Sequence, residues 1–410
     1  MSRLEELLRQ HCPNGVEYKR LSDIAIVTRG GNLQKKDFIE DGVPCIHYGQ
    51  IYTKYGLFTD KAFTFVSEEV ALRQRFAQHG DIVMAVTSEN IEDVCKCVVW
   101  LGDKPAAVSG HTAVISHNQN PKYLAYCFSS SLFFEQKKKL AHGTKVIEVT
   151  PDKLSSVVIP VPPLLIQDEI VSILDSYSNM ETELQERIKE EVLLRKQQYE
   201  FCCDRLFDQC DSEKVALSEL AKTNIGLATS VTKHKTEKGV ILLHNSDIVP
   251  NKIVIKKTEY ITEEFAQKNS SKILREGDVI TVHTGDVGTS AVITKEFDGA
   301  IGFTTITSRI KDLNRIIPEY YCRYLNSRRC KEEIEKMTIS DRSNLNQRSF
   351  EKLMIPVPGI VEQERIVSSL EMIDKAYSQL LKDLNNEIIA RQKQYDYYRD
   401  KILTFKPLES

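Results

Sequence analysis

No apolar run in this 410-residue chain approaches the roughly 20 residues needed to cross a bilayer. The opening segment MSRLEELLRQ mixes charge with leucine and lacks the apolar centre of a signal peptide. No membrane partner is expected, and the expected location is cytoplasmic. The ten cysteines are scattered, and the closest pairs, Cys95–Cys97 and Cys202–Cys203, do not form knuckles with zinc spacing. Reduced thiols are expected, since a disulfide framework belongs to small secreted domains. None of the nine histidines lies with cysteines or carboxylates at metal-ligand spacing, so no metal is expected.

Catalytic signatures are also missing. There is no G-x-x-x-x-G-K-[ST] phosphate loop, and neither Gly30-Gly31 nor Gly285/Gly288 makes a dinucleotide fingerprint. Neither G-x-S-x-G nor H-E-x-x-H occurs. The Asn/Asp-Pro-Pro-aromatic tetrapeptide of amino-methyltransferases would have to be Asn120-Pro121-Lys122-Tyr123, where the second proline is absent. No catalytic residue and no cofactor is assigned to this chain.

What is present is a duplication. With 41% apolar and 28% charged residues the chain is globular, and its length exceeds one ordinary core. Leu21-Ser22-Asp23-Ile24-Ala25 returns 196 residues later as Leu217-Ser218-Glu219-Leu220-Ala221. Gly80-Asp81 returns as Gly277-Asp278, and Pro121-x-Tyr123 as Pro318-x-Tyr320. Ile159-Pro160-Val161-Pro162 followed by Gln167 matches Ile355-Pro356-Val357-Pro358 followed by Gln363. So long a period marks a duplicated domain and not a solenoid of 20–50-residue repeats.

Each copy has two textures. Residues 16–153 and 212–350 carry short β-rich runs such as Ile24–Val27, Ile82–Val86, Val98–Leu101, Val240–Leu243, Val279–Val282 and Ala291–Thr294. A helix is expected near the end of each, at Pro121–Lys139 and Pro318–Lys336, with proline suited to the first turn. Residues 154–211 and 351–410 then read as long helices, since 164–207 and 360–405 are free of proline and glycine apart from Pro407 beyond them. Ile170, Leu174, Tyr177, Leu184, Ile188 and Val192 form a narrow stripe on the first, and Ile366, Leu370, Ile373, Leu380, Leu384 and Ile388 repeat it on the second. The two stripes are expected to bury each other. Residues 1–15 form a helical tail whose Leu4, Leu7 and Leu8 align with the end of the first rod and would complete a circular arrangement. Charge separates too: the two lobes carry +1 and +4, the rods −7 and −1. That weakly favours the lobes as the nucleic-acid-facing parts.

The motifs I-P-V-P-P-x-x-x-Q-x-x-I (Ile159 to Ile170) and I-P-V-P-x-x-x-x-Q-x-x-I (Ile355 to Ile366) resemble the signature of type I restriction–modification specificity subunits. The rod tails Arg195–Phe207 and Arg391–Leu403 resemble the type IC branch of that family. The resemblance implies an α+β fold: two β-rich α/β target recognition domains joined by two long helices in an antiparallel coiled coil, with a pseudo-twofold internal duplication. It implies a non-catalytic subunit binding duplex DNA at a bipartite, asymmetric site, with the rods setting an unread spacer. Two modification subunits would dock on the helices and supply S-adenosylmethionine chemistry, and a restriction subunit would add ATP-driven translocation and cleavage. The rival from another class is a coiled-coil scaffold whose lobes bind protein.

Candidate DNA contacts follow from polar loops at equivalent positions. Lys35 and Lys36, with Lys233 and Lys235 opposite them, suit phosphates. His47, Tyr48 and Gln50, with His244, Asn245 and Asp247, offer donors and acceptors to base edges. Ser88 and Asn90, and His283 and Thr284, follow equivalent strands. Lys145 precedes the first rod, and Arg342, Asn344, Asn346, Gln347 and Arg348 precede the second. Arginine pairs with guanine, and asparagine or glutamine with adenine, in the commonest bidentate contacts. Lys137-Lys138-Lys139 is expected on a solvated helix end.

Overall fold

In the computed structural model, residues 2–209, 212–338 and 344–408 are described. The chain divides into two compact units, residues 1–187 with 386–410, and residues 188–385. Each unit holds one lobe, the start of the helix that leaves it, and the end of the other long helix.

In the first unit, Tyr18–Arg20 pairs antiparallel with Val158–Pro160, Tyr18 opposite Pro160, so the I-P-V-P segment closes the lobe as a strand. A five-stranded sheet runs Ala25–Arg29, Thr112–His117, Ile82–Ala85, Cys97–Trp100, Phe58–Thr59. Ile82–Ala85 is buried throughout, as a continuous apolar run at the centre of a covered sheet requires. A second sheet orders Thr64–Val66, Val43–Ile46, Ala106–Val108, Arg75–Ala77, with the middle pair parallel.

The second unit repeats the plan. Lys214–Ala216 pairs with Met354–Pro356. One sheet runs Ala221–Ile225, Thr305–Ile310, Val279–Val282, Ser290–Val292, and another Lys235–Thr236, Glu259–Ile261, Val240–Leu243, Ile301–Gly302. The repeat register, 197 at the central strand, falls to 193 at the strand beside it, because Ile82 pairs with Val99 where Val279 pairs with Val292.

The single lobe helices expected at Pro121–Lys139 and Pro318–Lys336 are each broken in two, as Pro121–Phe128 with Ser131–Leu140 and Pro318–Leu325 with Arg328–Met337. The cause is one serine per copy. Ser130 Oγ accepts from the Phe133 amide and donates to the Cys127 carbonyl; Ser327 Oγ accepts from the Cys330 amide and donates to the Tyr324 carbonyl. Each therefore caps a new helix while ending the old one.

The rods span Leu164–Asp208 and Ile360–Ile402. Within the first unit they run antiparallel: Tyr177 stacks on Tyr398 at 6.3 Å, and Leu184 shares a groove with Arg391 and Tyr395. Within the second unit Tyr199 stacks on Tyr377 at 4.5 Å and donates to Asp374 at 2.6 Å, while Phe207 joins Leu370 in one core. The stripes do not simply bury each other. Ile170 and Leu174 pack into the lobe core with Tyr123 and Tyr126, and Ile366 and Leu370 with Tyr320 and Tyr324. Farther along, Ile188 is buried, Leu184, Val192, Ile373, Leu380, Leu384 and Ile388 are half-buried, and Tyr177 is exposed.

The buried Gln of each motif explains the joint between lobe and rod. Gln167 accepts from the Asn120 amide at 3.0 Å and donates to Gln119 Oε1 and the Pro162 carbonyl. Gln363 accepts from the Ile317 amide at 3.0 Å and donates to the Arg315 and Pro358 carbonyls. Tyr123 and Tyr320 complete the joints by donating to the carbonyls of Pro160 and Pro356. A buried amide with every bond made fixes how the rod leaves the lobe.

The N-terminal helix Arg3–His11 is closed by a Ser2/Glu5 capping box. Leu4, Leu7 and Leu8 pack against the first-unit core, which also receives Ile402, Leu403 and Phe405 from the end of the second rod and just past it. Leu403 lies in that core as Phe207 does in the second, and Val16 bridges Pro407.

Candidate nucleic-acid interface

The turn after Val43–Ile46 is built on His47. Its Nδ1 accepts from the Gly49 amide at 3.2 Å, and its own amide donates to Gln50 Oε1 at 3.2 Å. Burial, with Lys35 and His111 nearby, holds its imidazole below the usual range. In the second lobe Asp247 Oδ2 accepts from the His244 amide at 2.8 Å. Gln50 and Asp247 are therefore one structural device in two chemistries. Both are buried, and their oxygens belong to the turn.

Around this turn the structure gathers three predicted segments of the first lobe. Tyr48 donates its amide to Ser109 Oγ at 3.0 Å and lies 4.9 Å from the His111 ring. His111 Nδ1 is 3.1 Å from Thr87 Oγ1, and Tyr52 donates to the Thr87 carbonyl at 2.7 Å. Ser88 pairs with Ile147, two residues after Lys145, and both Lys145 and Asn90 are exposed. Asn90 ties to Asp93 at 2.8 Å. Lys35 and Lys36 form an exposed turn, Lys35 close enough to act on His47.

The second lobe makes the same gathering from other residues. Asn245 Nδ2 donates to the Thr284 carbonyl at 2.6 Å, and its Oδ1 accepts from Thr304 at 2.9 Å. Thr284 donates to Asn344 Oδ1 at 2.9 Å and bridges it, as Ser88 pairs with Ile147. His283 sits beside Thr284, its imidazole lowered by burial. Glu259 accepts from Lys235 and lies 2.9 Å from His244 Nε2, and these two bonds hold its carboxyl below the usual range. Lys233 is exposed.

Some candidates are occupied in the scaffold. Asn346 caps Gln347–Phe350, and Gln347 donates to Thr223 Oγ1 at 2.7 Å and to Glu351. Arg348 is exposed, while Arg342 lies outside the described residues. Lys137 is not on a solvated end: it is buried and donates to the carbonyls of Glu92 and Val94, because Cys95 turns back there at φ 67°. Lys138 and Lys139 are exposed.

Two residues at the centre of the clusters were missed, His111 and Thr304. They precede equivalent strands, but the drop in register to 193 separates them under a constant shift. The signal was the pair of polar turns, Ser109-Gly110-His111 and Gly302-Phe303-Thr304, before matching apolar strands.

Two lobes of one design, each closing on an I-P-V-P strand and launching a long helix, define a duplicated two-lobed protein whose loop clusters share geometry and differ in chemistry. The chain belongs to the family of type I restriction modification DNA specificity domains, whose profile matches residues 13–194 and again 210–390. It is 30% identical over 261 residues to the type I restriction enzyme EcoR124I/EcoR124II specificity subunit of Escherichia coli, covering 61% of this chain and 62% of that protein. The match thus spans less than two thirds of that relative's length. The fold is shared with a chain solved for the structural basis of complex assembly and conformational transition of the type I R-M system (TM-score 0.73, 18% identity, covering 95% of this chain and 98% of that one). It is also shared with the HsdS subunit from Thermoanaerobacter tengcongensis (TM-score 0.56, 16% identity, covering 96% and 97%).

Proposed function

We propose that this chain is the non-catalytic, sequence-reading subunit of a type I restriction–modification complex, acting in the cytoplasm on double-stranded DNA. Each lobe reads one half of a split, asymmetric site, and the rods set the unread spacer. Two modification subunits dock along the rods and carry S-adenosylmethionine for adenine methylation; a restriction subunit adds ATP-driven translocation and cleavage. The observation that carries this reading is the paired clustering of His47, Tyr48, Thr87 and His111 in one lobe and His244, Asn245, Thr284 and Thr304 in the other. Readers of two different half-sites need one scaffold with different polar tips. The exposed Lys36, Asn90, Lys145, Lys233 and Arg348 border these clusters and suit phosphates or base edges.

Footprinting of the chain with its modification subunit on randomised duplex DNA tests this. Protection of two short unlike sequences separated by a fixed gap is expected. One continuous site, or none, would remove the proposal.

A further inference from the structure

The edge strand Ala221–Ile225 of the second lobe borders a cleft of about 230 Å³. Lys222, Lys272, Arg275 and Arg309 line it, with Asn224 and Ser271, and no carboxylate lines it among the described residues. Two of the four cations are answered. Arg309 is held by Asp278 through two bonds of 2.8 and 2.6 Å, and Lys272 donates to the Gly226 carbonyl at 2.8 Å. Lys222 and Arg275 are exposed and have no side-chain partner among the described residues. Asn224 donates to the Ser271 carbonyl at 2.7 Å, which fixes the turn Ser270–Lys272 against the strand. The cleft opens at Gly226, whose amide donates to the Thr305 carbonyl, one residue from Thr304 in the loop cluster.

The first lobe has the corresponding strand and turn with less charge: it keeps the exposed Arg75 where the second lobe has Lys272, and Arg29, paired with Glu148, where it has Ile225. Register places Ile26 where the second lobe has Lys222, Gln78 where it has Arg275, and Ser116 where it has Arg309. Ile26 is 70% exposed. Both Gln78 and Arg275 donate their amides to the following aspartate at 2.8 Å, so the backbone is the same and only the side chains differ.

We infer that this cleft anchors a backbone phosphate of the DNA duplex through Lys222 and Arg275, a pair the first lobe replaces with Ile26 and Gln78. The inference rests on the DNA-reading function proposed above. A phosphodiester carries one negative charge with acceptor oxygens, which the two exposed cations Lys222 and Arg275 can share, and phosphate contacts position a protein beside the bases it reads. The second half-site is consequently held more electrostatically than the first.

The test is fluorescence anisotropy of the full chain on a duplex carrying its site, between 50 and 200 mM salt. Each phosphate contact contributes about 0.9 to the slope of log affinity against log salt. Lys222→Gln and Arg275→Gln are each expected to reduce that slope by up to about 0.9, with the loss of affinity greatest at low salt. Lys382→Gln, on the second rod, is expected to leave it unchanged. Circular dichroism melting verifies that the variants are folded. If the wild-type chain binds and the variant slopes coincide with it, the cleft inference fails while the proposed function stands. If the wild-type chain does not bind duplex DNA, both fall. Titration of inorganic phosphate separates the remaining source: phosphate binding lost in the variants, with the DNA slope unchanged, makes this a small-anion site and overturns the inference.

Discussion

The two lobes place the same backbone under different side chains, and the positions that change fall into two kinds. At some, a role survives a change of residue: Gln50 and Asp247 both accept the amide of the preceding histidine. At others the chemistry itself changes. Thr64, opposite Cys45, donates to Gln50; its counterpart Glu259, opposite Leu242, holds Lys235 and His244. His111 gives way to Thr304, and Ile26 to Lys222. Interior positions answer to packing and hydrogen-bond satisfaction, demands that recur in both copies even where the residue changes, whereas tips answer to whatever each lobe meets.

The largest expected effect probes the shared side of that comparison. Gln167→Met and Gln363→Met keep side-chain volume but leave buried partners unpaired at each joint. Each is expected to cost about 3 kcal/mol, at about 1–3 kcal/mol per buried group left unsatisfied. Denaturant unfolding measures it. A loss near zero, or a loss in one copy alone, would show that the two joints are not equivalent.

Much of that shared side was legible. The repeated Gly-Asp pair, for example, marks a turn in which Gly80 and Gly277 adopt φ 89° and 83° and each aspartate accepts a nearby amide. A left-handed residue followed by a short acceptor is a local requirement, so it leaves a local mark. The breaks at Ser130 and Ser327 were not read, because serine scores as a tolerable helix residue until its hydroxyl is seen capping the next helix. The buried Lys137 was hidden inside a run of three lysines, and only the turn at Cys95 reveals the carbonyls that receive it. Gathering of the loops was unreadable in principle: Tyr48, Thr87 and His111 meet through sheet pairing between segments far apart in the chain.

A smaller effect probes the differing side. Glu259 neutralises Lys235 and engages His244, so Glu259→Gln is expected to strengthen duplex binding a few-fold at low salt, read by anisotropy. Unchanged affinity would place Lys235 and His244 away from the duplex. The same carboxylate has a pH signature. Its value in the folded chain is lowered, first by Lys235 and then by His244, so its stabilising contribution is present above the ordinary carboxylate range. That contribution is lost as pH falls through the lowered value.

The most direct measurement exchanges residues 16–153 for the corresponding lobe of a relative and sequences the methylated sites of cells carrying the hybrid with its modification subunit. The account predicts that one half of the methylated sequence changes while the other half and the gap stay as they were. Alteration of both halves together, or of the gap alone, would contradict it.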